Sequence, residues 1–290
     1  MSTPETSTPD QAAGATGVQR IAQSFARAAS ERRAALMPYL MAGYPTLAES
    51  ARIGEACVAG GADVLELGVP YSDPLADGPV IHAAATTALA AGADLAGVLE
   101  VARTLAPRVP VVLMCYANMV FAPGVQAFVE RLARTGACGL IVPDLPLEEA
   151  PGVLAACDAQ GLALVPLVAP TTPAARMAEI GARARGFLYT VSVVGTTGER
   201  AVPKPGDTRE SPFRPAERFG EIVAQARAAT EVPVALGFGI STPAHARQAA
   251  EAGADGVIVG TRLVRAAGEA EDPAEAVGAL VAELAGALRG

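Results

Sequence analysis

The chain has 290 residues, about half of them apolar, with few aromatic residues and no tryptophan. This composition predicts a globular protein with a sizeable core and excludes an intrinsically disordered chain. The formal net charge of -8 argues against a general nucleic-acid partner, because phosphate backbones select basic surfaces. The longest apolar runs are shorter than the roughly 20 residues that a membrane span requires.

The segment that opens the chain, residues 1–17, is rich in Ser, Thr and Pro and has no apolar core. It fits neither a signal peptide nor a transit peptide. We predict a flexible, disordered tail over 1–17, followed by an extra amphipathic helix over 18–29. No linker or shift in composition divides the rest, so residues 18–290 are predicted to form one domain.

Short apolar runs alternate with longer helical patterns along that domain. The runs are continuous rather than alternating, as strands of a parallel sheet buried on both faces should be. The predicted strands are 36–41, 64–68, 111–116, 139–142, 163–167, 187–191, 232–236 and 256–259. The predicted helices include 98–105, 125–134, 173–184, 215–229, 244–252 and a final helix over 272–288. Eight such units predict an α/β fold, a single-domain (β/α)8 TIM barrel.

Several helix ends carry local signals. Thr172-Pro173 and Thr242-Pro243 each place a capping hydroxyl before a proline at the first helical position. The segments that end at Asp63, Ala137 and Asp255 each contain a glycine that closes a helix before the next strand. We interpret these segments as parts of the face that stabilises the barrel, without a catalytic role.

The second predicted strand and its loop, V-L-E-L-G-V-P-Y-S-D-P-L-A-D-G-P, carry three carboxylates. Glu66 lies among apolar residues, where a carboxylate has no packing reason to be. A carboxyl group in such company has a raised pKa, as a proton-transferring acid and base requires. Asp73 precedes Pro74, and an Asp-Pro turn accounts for it without catalysis. Glu66 is therefore the residue that indicates an active site.

The stretch E-L-G-V-P-Y-S-D-P-L-A-D-G-P resembles the signature of the tryptophan synthase alpha subunit family. The resemblance extends over about residues 35–264. It implies a carbon–carbon lyase of tryptophan biosynthesis that cleaves indole-3-glycerol phosphate to indole and glyceraldehyde 3-phosphate by a retro-aldol reaction. Glu66 would then transfer the protons, and an ionised Asp77 would stabilise the charge that spreads to the ring nitrogen.

Further loops match motifs of the same family. The third strand ends in M-C-Y-A-N-M-V-F and the fourth in I-V-P-D-L-P. Tyr116 alone fits a half-buried barrel aromatic and Asn118 a turn residue, but the resemblance implies that Tyr116 lines the substrate pocket. Tyr189 fits either a core aromatic or the pocket wall. Contacts to a partner subunit are expected from these residues: Pro70, Asp73, Asn118, Asp144 and Pro146.

Glycines follow the last three predicted strands, in G-T-T-G, L-G-F-G-I-S and V-G-T. Their backbones can approach an anion closely, and the last loops of TIM barrels often bind phosphate. The predicted phosphate ligands are Gly198, Phe238, Gly239, Gly260 and Thr261; the family usually has Gly-Ser where this chain has Gly260-Thr261. The long loop after Gly198 is predicted to be a lid. The resemblance implies that it closes over the substrate with Thr197 near Asp77, although residues 204–211 have no family counterpart.

The resemblance also implies a partner. A tryptophan synthase beta subunit would bind this chain in an alpha2-beta2 heterotetramer and carry the pyridoxal phosphate. No cofactor or metal is expected on this chain, whose one lysine, Lys204, lies in a polar turn. The four cysteines lie far apart in sequence and indicate reduced thiols of a cytoplasmic protein. Two alternatives stay open: another phosphosugar enzyme on the same barrel, and a catalytically silent subunit that activates its partner.

Overall fold

The structure is a computed structural model that describes residues 14–191, 215–237 and 239–289. Its strands are β1 (Ala35–Met41), β2 (Leu65–Gly68), β3 (Val111–Met114), β4 (Gly139–Ile141), β5 (Ala163–Val165), β6 (Leu167–Val168), β7 (Leu188–Val191), β8 (Val234–Gly237) and β9 (Gly256–Val259). Its helices are α1 (Gly17–Ser30), α2 (Leu47–Gly60), α3 (Pro79–Ala90), α4 (Leu95–Leu105), α5 (Ala117–Phe121), α6 (Val125–Ala133), α7 (Ala150–Ala159), α8 (Ala174–Gly181), α9 (Pro215–Ala229), α10 (Pro243–Glu251), α11 (Thr261–Glu269) and α12 (Pro273–Arg289).

The described strands form one parallel sheet in the order β5-β4-β3-β2-β1-β9-β8-β7-β6. The two ends of this order, β5 and β6, flank Pro166 and are halves of one predicted strand, so the sheet closes into a barrel. The split corrects the prediction of one continuous strand over 163–167. Pro166 has no N–H to donate to a neighbouring strand, whereas its carbonyl still accepts from the Tyr189 N–H at 3.0 Å. The predicted TIM barrel is otherwise confirmed.

The barrel has two apolar layers. Outward-facing side chains of the strands pack against the helices, and inward-facing ones fill the barrel. Helix α1 closes the base of the interior, because its buried Ile21 and Phe25 join the inner layer. The Phe25 and Phe187 rings lie 5.9 Å apart. A Cβ at Gly256 would lie 2.9 Å from the Phe25 ring, so the glycine leaves space for this helix.

Two boundaries differ from the predictions. Thr16 caps helix α1 in a capping box with Gln19, and the helix begins at Gly17, one residue before the predicted start. Residues 1–13 lie outside the described residues. Thr242 caps α10 as predicted, by accepting from the His245 N–H. Thr172 does not cap α8, because its hydroxyl accepts from the Ala169 N–H instead.

The described part of the chain contains no helix that is by itself long and apolar enough to span a membrane. Helices α3 and α4 meet that criterion only as a pair, and the chain bends by 107° between them. The cysteines Cys57, Cys115, Cys138 and Cys157 are all buried and free.

Two aspartates at the base of the barrel connect neighbouring strands. The Asp63 carboxylate, 1% exposed, accepts the Leu36 N–H and binds Arg33 and Arg27. Asp255 likewise accepts the Val234 N–H and pairs with an arginine. Burial alone would raise the pKa of Asp63, but the hydrogen bonds from Arg33, Leu36 and Arg27 outweigh it and lower that pKa. Both aspartates are structural, as the sequence predicted.

Replacing Asp63 with Asn should lower the free energy of unfolding by about 3 kcal/mol at pH 7, because it removes the buried counter-ion of the Arg33 guanidinium and leaves only the pair with the exposed Glu31. Urea unfolding of the parent and the variant measures the difference. Glu100→Gln, which removes an exposed pair with Arg103, should leave stability almost unchanged. Equal unfolding midpoints for parent and Asp63→Asn would contradict this account.

Candidate active site

The centre of the site is Glu66, which strand β2 directs into the barrel. Leu65 and Leu67 on either side pack outward in the layer between strands and helices, so strand alternation turns Glu66 inward. Its side chain is 1% exposed, and neither carboxylate oxygen has a hydrogen-bond partner among the described residues. Its neighbour on β1, in register, is Tyr39. An ionised carboxylate in this position would destabilise the fold, so the surroundings favour the neutral acid.

Burial raises the pKa of Glu66 to about 8. The group is therefore mostly protonated at neutral pH yet able to ionise, which is the condition for giving and taking a proton at working pH.

Asp77 lies on the loop between β2 and α3 and lines the same cavity. Burial raises its pKa, and a hydrogen bond with the Tyr116 hydroxyl and the nearby charge of His82 reduce the rise. The same hydroxyl accepts the Ala76 N–H at 3.0 Å, and the Tyr116 ring stacks on Tyr71 at 5.2 Å. Tyr116 thus contacts Asp77 and holds its loop, and its predicted place in the substrate pocket stays a prediction.

The cavity at the carboxyl end of the barrel has a volume of about 720 Å³, including its open mouth. Most of its wall is apolar, which suits a site that binds a small molecule through a few polar groups. The residues that line it are Tyr39, Glu66, Ala76, Asp77, Ile81, Met114, Pro143, Leu167, Tyr189, Gly239, Ile240, Ser241, Ile258, Gly260 and Thr261.

One side of this cavity is suited to an anion. Gly239, with φ +80°, and Ser241 lie before helix α10, while Gly260 and Thr261 begin helix α11. Gly260 caps α11 without a side chain, and no side-chain cap occupies the first N–H groups of that helix. Helix N-termini carry partial positive charge and free N–H donors, so they attract phosphate.

The structure therefore brings Glu66, Asp77, Tyr189, Gly239, Gly260 and Thr261 to one cavity. Thr197, Gly198, Phe238 and the predicted lid lie outside the described residues. The sequence reasoning did not nominate Tyr39 or Ser241. Ser241 follows the G-F-G motif directly, so its position next to a predicted phosphate loop was a usable signal. The sequence contains no such signal for Tyr39, because a tyrosine in an apolar strand fits the core equally well.

The residues predicted to contact a partner lie elsewhere. Asp73, Asn118 and Pro146 are exposed on the segments that follow β2, β3 and β4. Pro70 is buried, and the half-buried Asp144 accepts the Ala117 N–H at 2.8 Å. No cluster of three or more His, Cys, Asp or Glu suited to a metal occurs in residues 14–191, 215–237 and 239–289.

A parallel barrel with a buried carboxyl group of raised pKa and the N-terminus of α11 at its mouth is typical of a TIM-barrel enzyme. The family model for the tryptophan synthase alpha chain matches residues 25–289. The chain therefore belongs to the tryptophan synthase alpha chain family.

Individual relatives agree with this family assignment. The chain is 48% identical over 247 residues to the tryptophan synthase alpha chain of Prochlorococcus marinus, covering 84% of this chain and 86% of that protein. It is 44% identical to that of Methanosarcina acetivorans, covering 94% and 96%. Among solved structures, Mycobacterium tuberculosis tryptophan synthase aligns with TM-score 0.84 at 37% identity, covering 93% of this chain and 98% of that chain. The prediction of a carbon–carbon lyase of tryptophan biosynthesis is confirmed.

The raised pKa of Glu66 predicts a pH-dependent stability difference between the parent and Glu66→Gln. The folded protein keeps a proton on Glu66 from its ordinary pKa of 4.5 up to about 8, whereas the unfolded chain does not. The free energy of unfolding of the parent therefore falls as pH rises through this window, whereas that of the variant lacks this contribution. Chemical unfolding measures this: the free energy of unfolding of the variant minus that of the parent should rise by on the order of 3 kcal/mol from pH 5 to pH 8.

Glu148→Gln is the matched control for this measurement. The Arg176 hydrogen bond to exposed Glu148 lowers the pKa of that carboxyl to about 2. Its effect on stability should therefore be nearly constant from pH 5 to pH 8. A constant difference for Glu66→Gln as well would show that its carboxyl ionises normally in the folded protein.

Proposed function

We propose that Glu66 is the acid and base that cleaves indole-3-glycerol phosphate in this chain. As the neutral acid it gives a proton to the ring carbon that bears the glycerol phosphate chain. As the resulting carboxylate it removes the proton of the side-chain hydroxyl, so the carbon–carbon bond breaks and indole and glyceraldehyde 3-phosphate are released. The observation that carries this role is a fully buried carboxyl group with no hydrogen-bond partner among the described residues.

Asp77 is proposed to accept the N–H of the ring while the ring carries positive charge. Its hydrogen bond with Tyr116 favours the ionised carboxylate, in contrast to Glu66, which has no such donor. Two carboxyl groups in unlike environments can thus divide proton transfer from charge stabilisation. Tyr116 acts in this proposal by positioning Asp77.

The phosphate is proposed to bind opposite the carboxylates, at Gly239, Gly260 and Thr261. This position is supported by the start of helix α11 at the cavity, where N–H groups and the helix dipole favour an anion. Thr197, Gly198 and Phe238 remain proposed ligands, and Tyr189 a proposed wall of the indole pocket.

A tryptophan synthase beta subunit is the proposed partner, in an alpha2-beta2 heterotetramer, and it would carry the pyridoxal phosphate. Strands β2, β3 and β4 are neighbours, so the exposed Asp73, Asn118 and Pro146 lie on one face. Leu75 on the same face is 78% exposed, which is typical of a side chain that a partner covers. Pro70 and Asp144 would support that face from below.

We also propose that residues 18–290 form one catalytic domain. The insertion of α1 into the barrel base and the packing of α12 on α2 support it. The free, buried cysteines support a cytoplasmic location.

The test of the cleavage is release of glyceraldehyde 3-phosphate from indole-3-glycerol phosphate, with and without a beta subunit. Glu66→Gln should lower kcat about 100- to 10,000-fold, because the amide can neither give nor take the proton. The exposed Glu148→Gln should keep parent activity. Cleavage by Glu66→Gln at the parent rate would refute the acid–base role, and no cleavage by the parent in any mixture would favour a silent activating subunit.

Asn118→Arg should weaken binding of a purified tryptophan synthase beta subunit at least tenfold, because a long cation on the proposed face disturbs a close fit. Titration calorimetry measures the Kd, and cleavage by the isolated variant should stay within about twofold of the parent. Glu283→Arg on the exposed side of α12 is the control for added charge and should not change the Kd. An unchanged Kd for Asn118→Arg would remove this face from the interface.

A further inference from the structure

Tyr39 is a phenol in the cavity wall to which the proposed reaction gives no task. It lies on β1 in register with Glu66, and both residues line the cavity. The side chain is 8% exposed.

Two glycines determine where the Tyr39 ring lies. A Cβ at Gly260 would be 3.3 Å from the Tyr39 Cβ, and a Cβ at Gly68 would be 2.0 Å from its Oη. The ring therefore extends from the end of β9, where the phosphate is proposed to bind, to the end of β2. Its hydroxyl lies at the level of Gly68, two residues nearer the cavity mouth than Glu66.

The Tyr39 hydroxyl is not committed to a neighbour. Glu66, the adjacent side chain, has no hydrogen-bond partner at either oxygen, so Tyr39 does not donate to it. No hydrogen bond joins this hydroxyl to any other group in the described ranges. The Tyr39 oxygen is not among the fully buried side-chain atoms that lack a partner, so it is open to the cavity and can donate to a bound molecule.

The surroundings keep this phenol neutral and able to donate. Burial raises the pKa of Tyr39 well above its usual value, and the nearby Asp77 and Glu66 carboxylates raise it further. Tyr39, Glu66 and Asp77 line the same cavity, so the hydroxyl lies close to the space where a substrate between the two carboxyl groups would react.

We propose that the Tyr39 hydroxyl donates a hydrogen bond to the glycerol-chain oxygen that loses its proton during cleavage. This inference rests on the proposed role of Glu66. In that step the O–H bond breaks and its proton passes to the Glu66 carboxylate. The carbon–oxygen double bond forms, the carbon–carbon bond to the ring breaks, and its electron pair returns to the protonated ring. Negative charge grows on the oxygen as the proton leaves, and a preorganised neutral donor stabilises that charge.

The test compares Tyr39→Phe with the parent in single-turnover cleavage over a range of pH. Tyr39→Phe should lower the cleavage rate about 10- to 100-fold, leave KM within about threefold and leave the pH midpoints unchanged. A rate within twofold of the parent, or a loss confined to KM, would overturn the inference. A shifted pH midpoint would also overturn it, because the hydroxyl would then act on Glu66 itself.

Two further variants make the result decisive. Tyr44→Phe removes a phenol of the β1–α2 loop that does not line the cavity, and should keep the parent rate. Tyr39 replaced by 3-fluorotyrosine keeps the ring and strengthens the donor, so the rate should rise at a pH where the phenol is neutral. An unchanged or lower rate with 3-fluorotyrosine overturns the inference even if Tyr39→Phe fails to fold.

Glu66→Gln, measured in parallel, separates this inference from the proposed function. Loss of cleavage in Glu66→Gln with a parent-like Tyr39→Phe would leave the acid–base role intact and remove only the role of Tyr39. Cleavage retained by Glu66→Gln would remove both.

Discussion

Glu66 is buried without a hydrogen-bond partner in the described part of the chain, and the site depends on this constraint. A carboxyl group in an apolar interior is stable only while it is neutral, so its surroundings decide its chemistry. The inward direction of Glu66 follows from outward Leu65 and Leu67, and the apolar cavity wall raises its pKa. The strain of one unsatisfied group is tolerated because two apolar layers stabilise the barrel around it.

Three carboxyl groups on this barrel show how position sets behaviour. Asp63 at the base is buried as deeply as Glu66, yet two arginines and a backbone N–H keep it charged. Among the described residues Glu66 has no donor, and it retains its proton near neutrality. Asp77 accepts from Tyr116, and its behaviour lies between these extremes. A charged carboxylate at one end of the strands and a neutral carboxyl group at the other are therefore built from the same residue types.

Much of this molecule could be predicted from its sequence. Continuous apolar runs give the strands, because a strand buried on both faces needs no polar residue, and Glu66 is conspicuous within one. The family match to residues 25–289 is wider than the motif-bearing part, since α1 and α12 carry only ordinary amphipathic patterns.

Other features depend on how strands meet in space. The interruption at Pro166 depends on which neighbour its missing N–H would have faced. Tyr116 and Tyr39 could not be assigned to the loop support and the cavity wall, because the reach of a tyrosine hydroxyl depends on barrel register rather than on adjacent residues. The Thr172 hydroxyl accepts a hydrogen bond from a loop N–H and not from the first turn of a helix. The sequence motif is compatible with both hydrogen bonds, so it cannot predict which one forms.

Strand β1 pairs on one side with β2 and on the other with β9, so the first strand of the chain needs the last to complete its hydrogen bonds. During synthesis the barrel cannot close until nearly the whole chain has been made, and the free edge of β1 is meanwhile open to pairing with other chains. Helix α1 is synthesised before Phe187 and Gly256, so it cannot pack in its final position until they have been made. Folding of this barrel is therefore dominated by contacts between distant parts of the chain, which makes its closure a late and slow event.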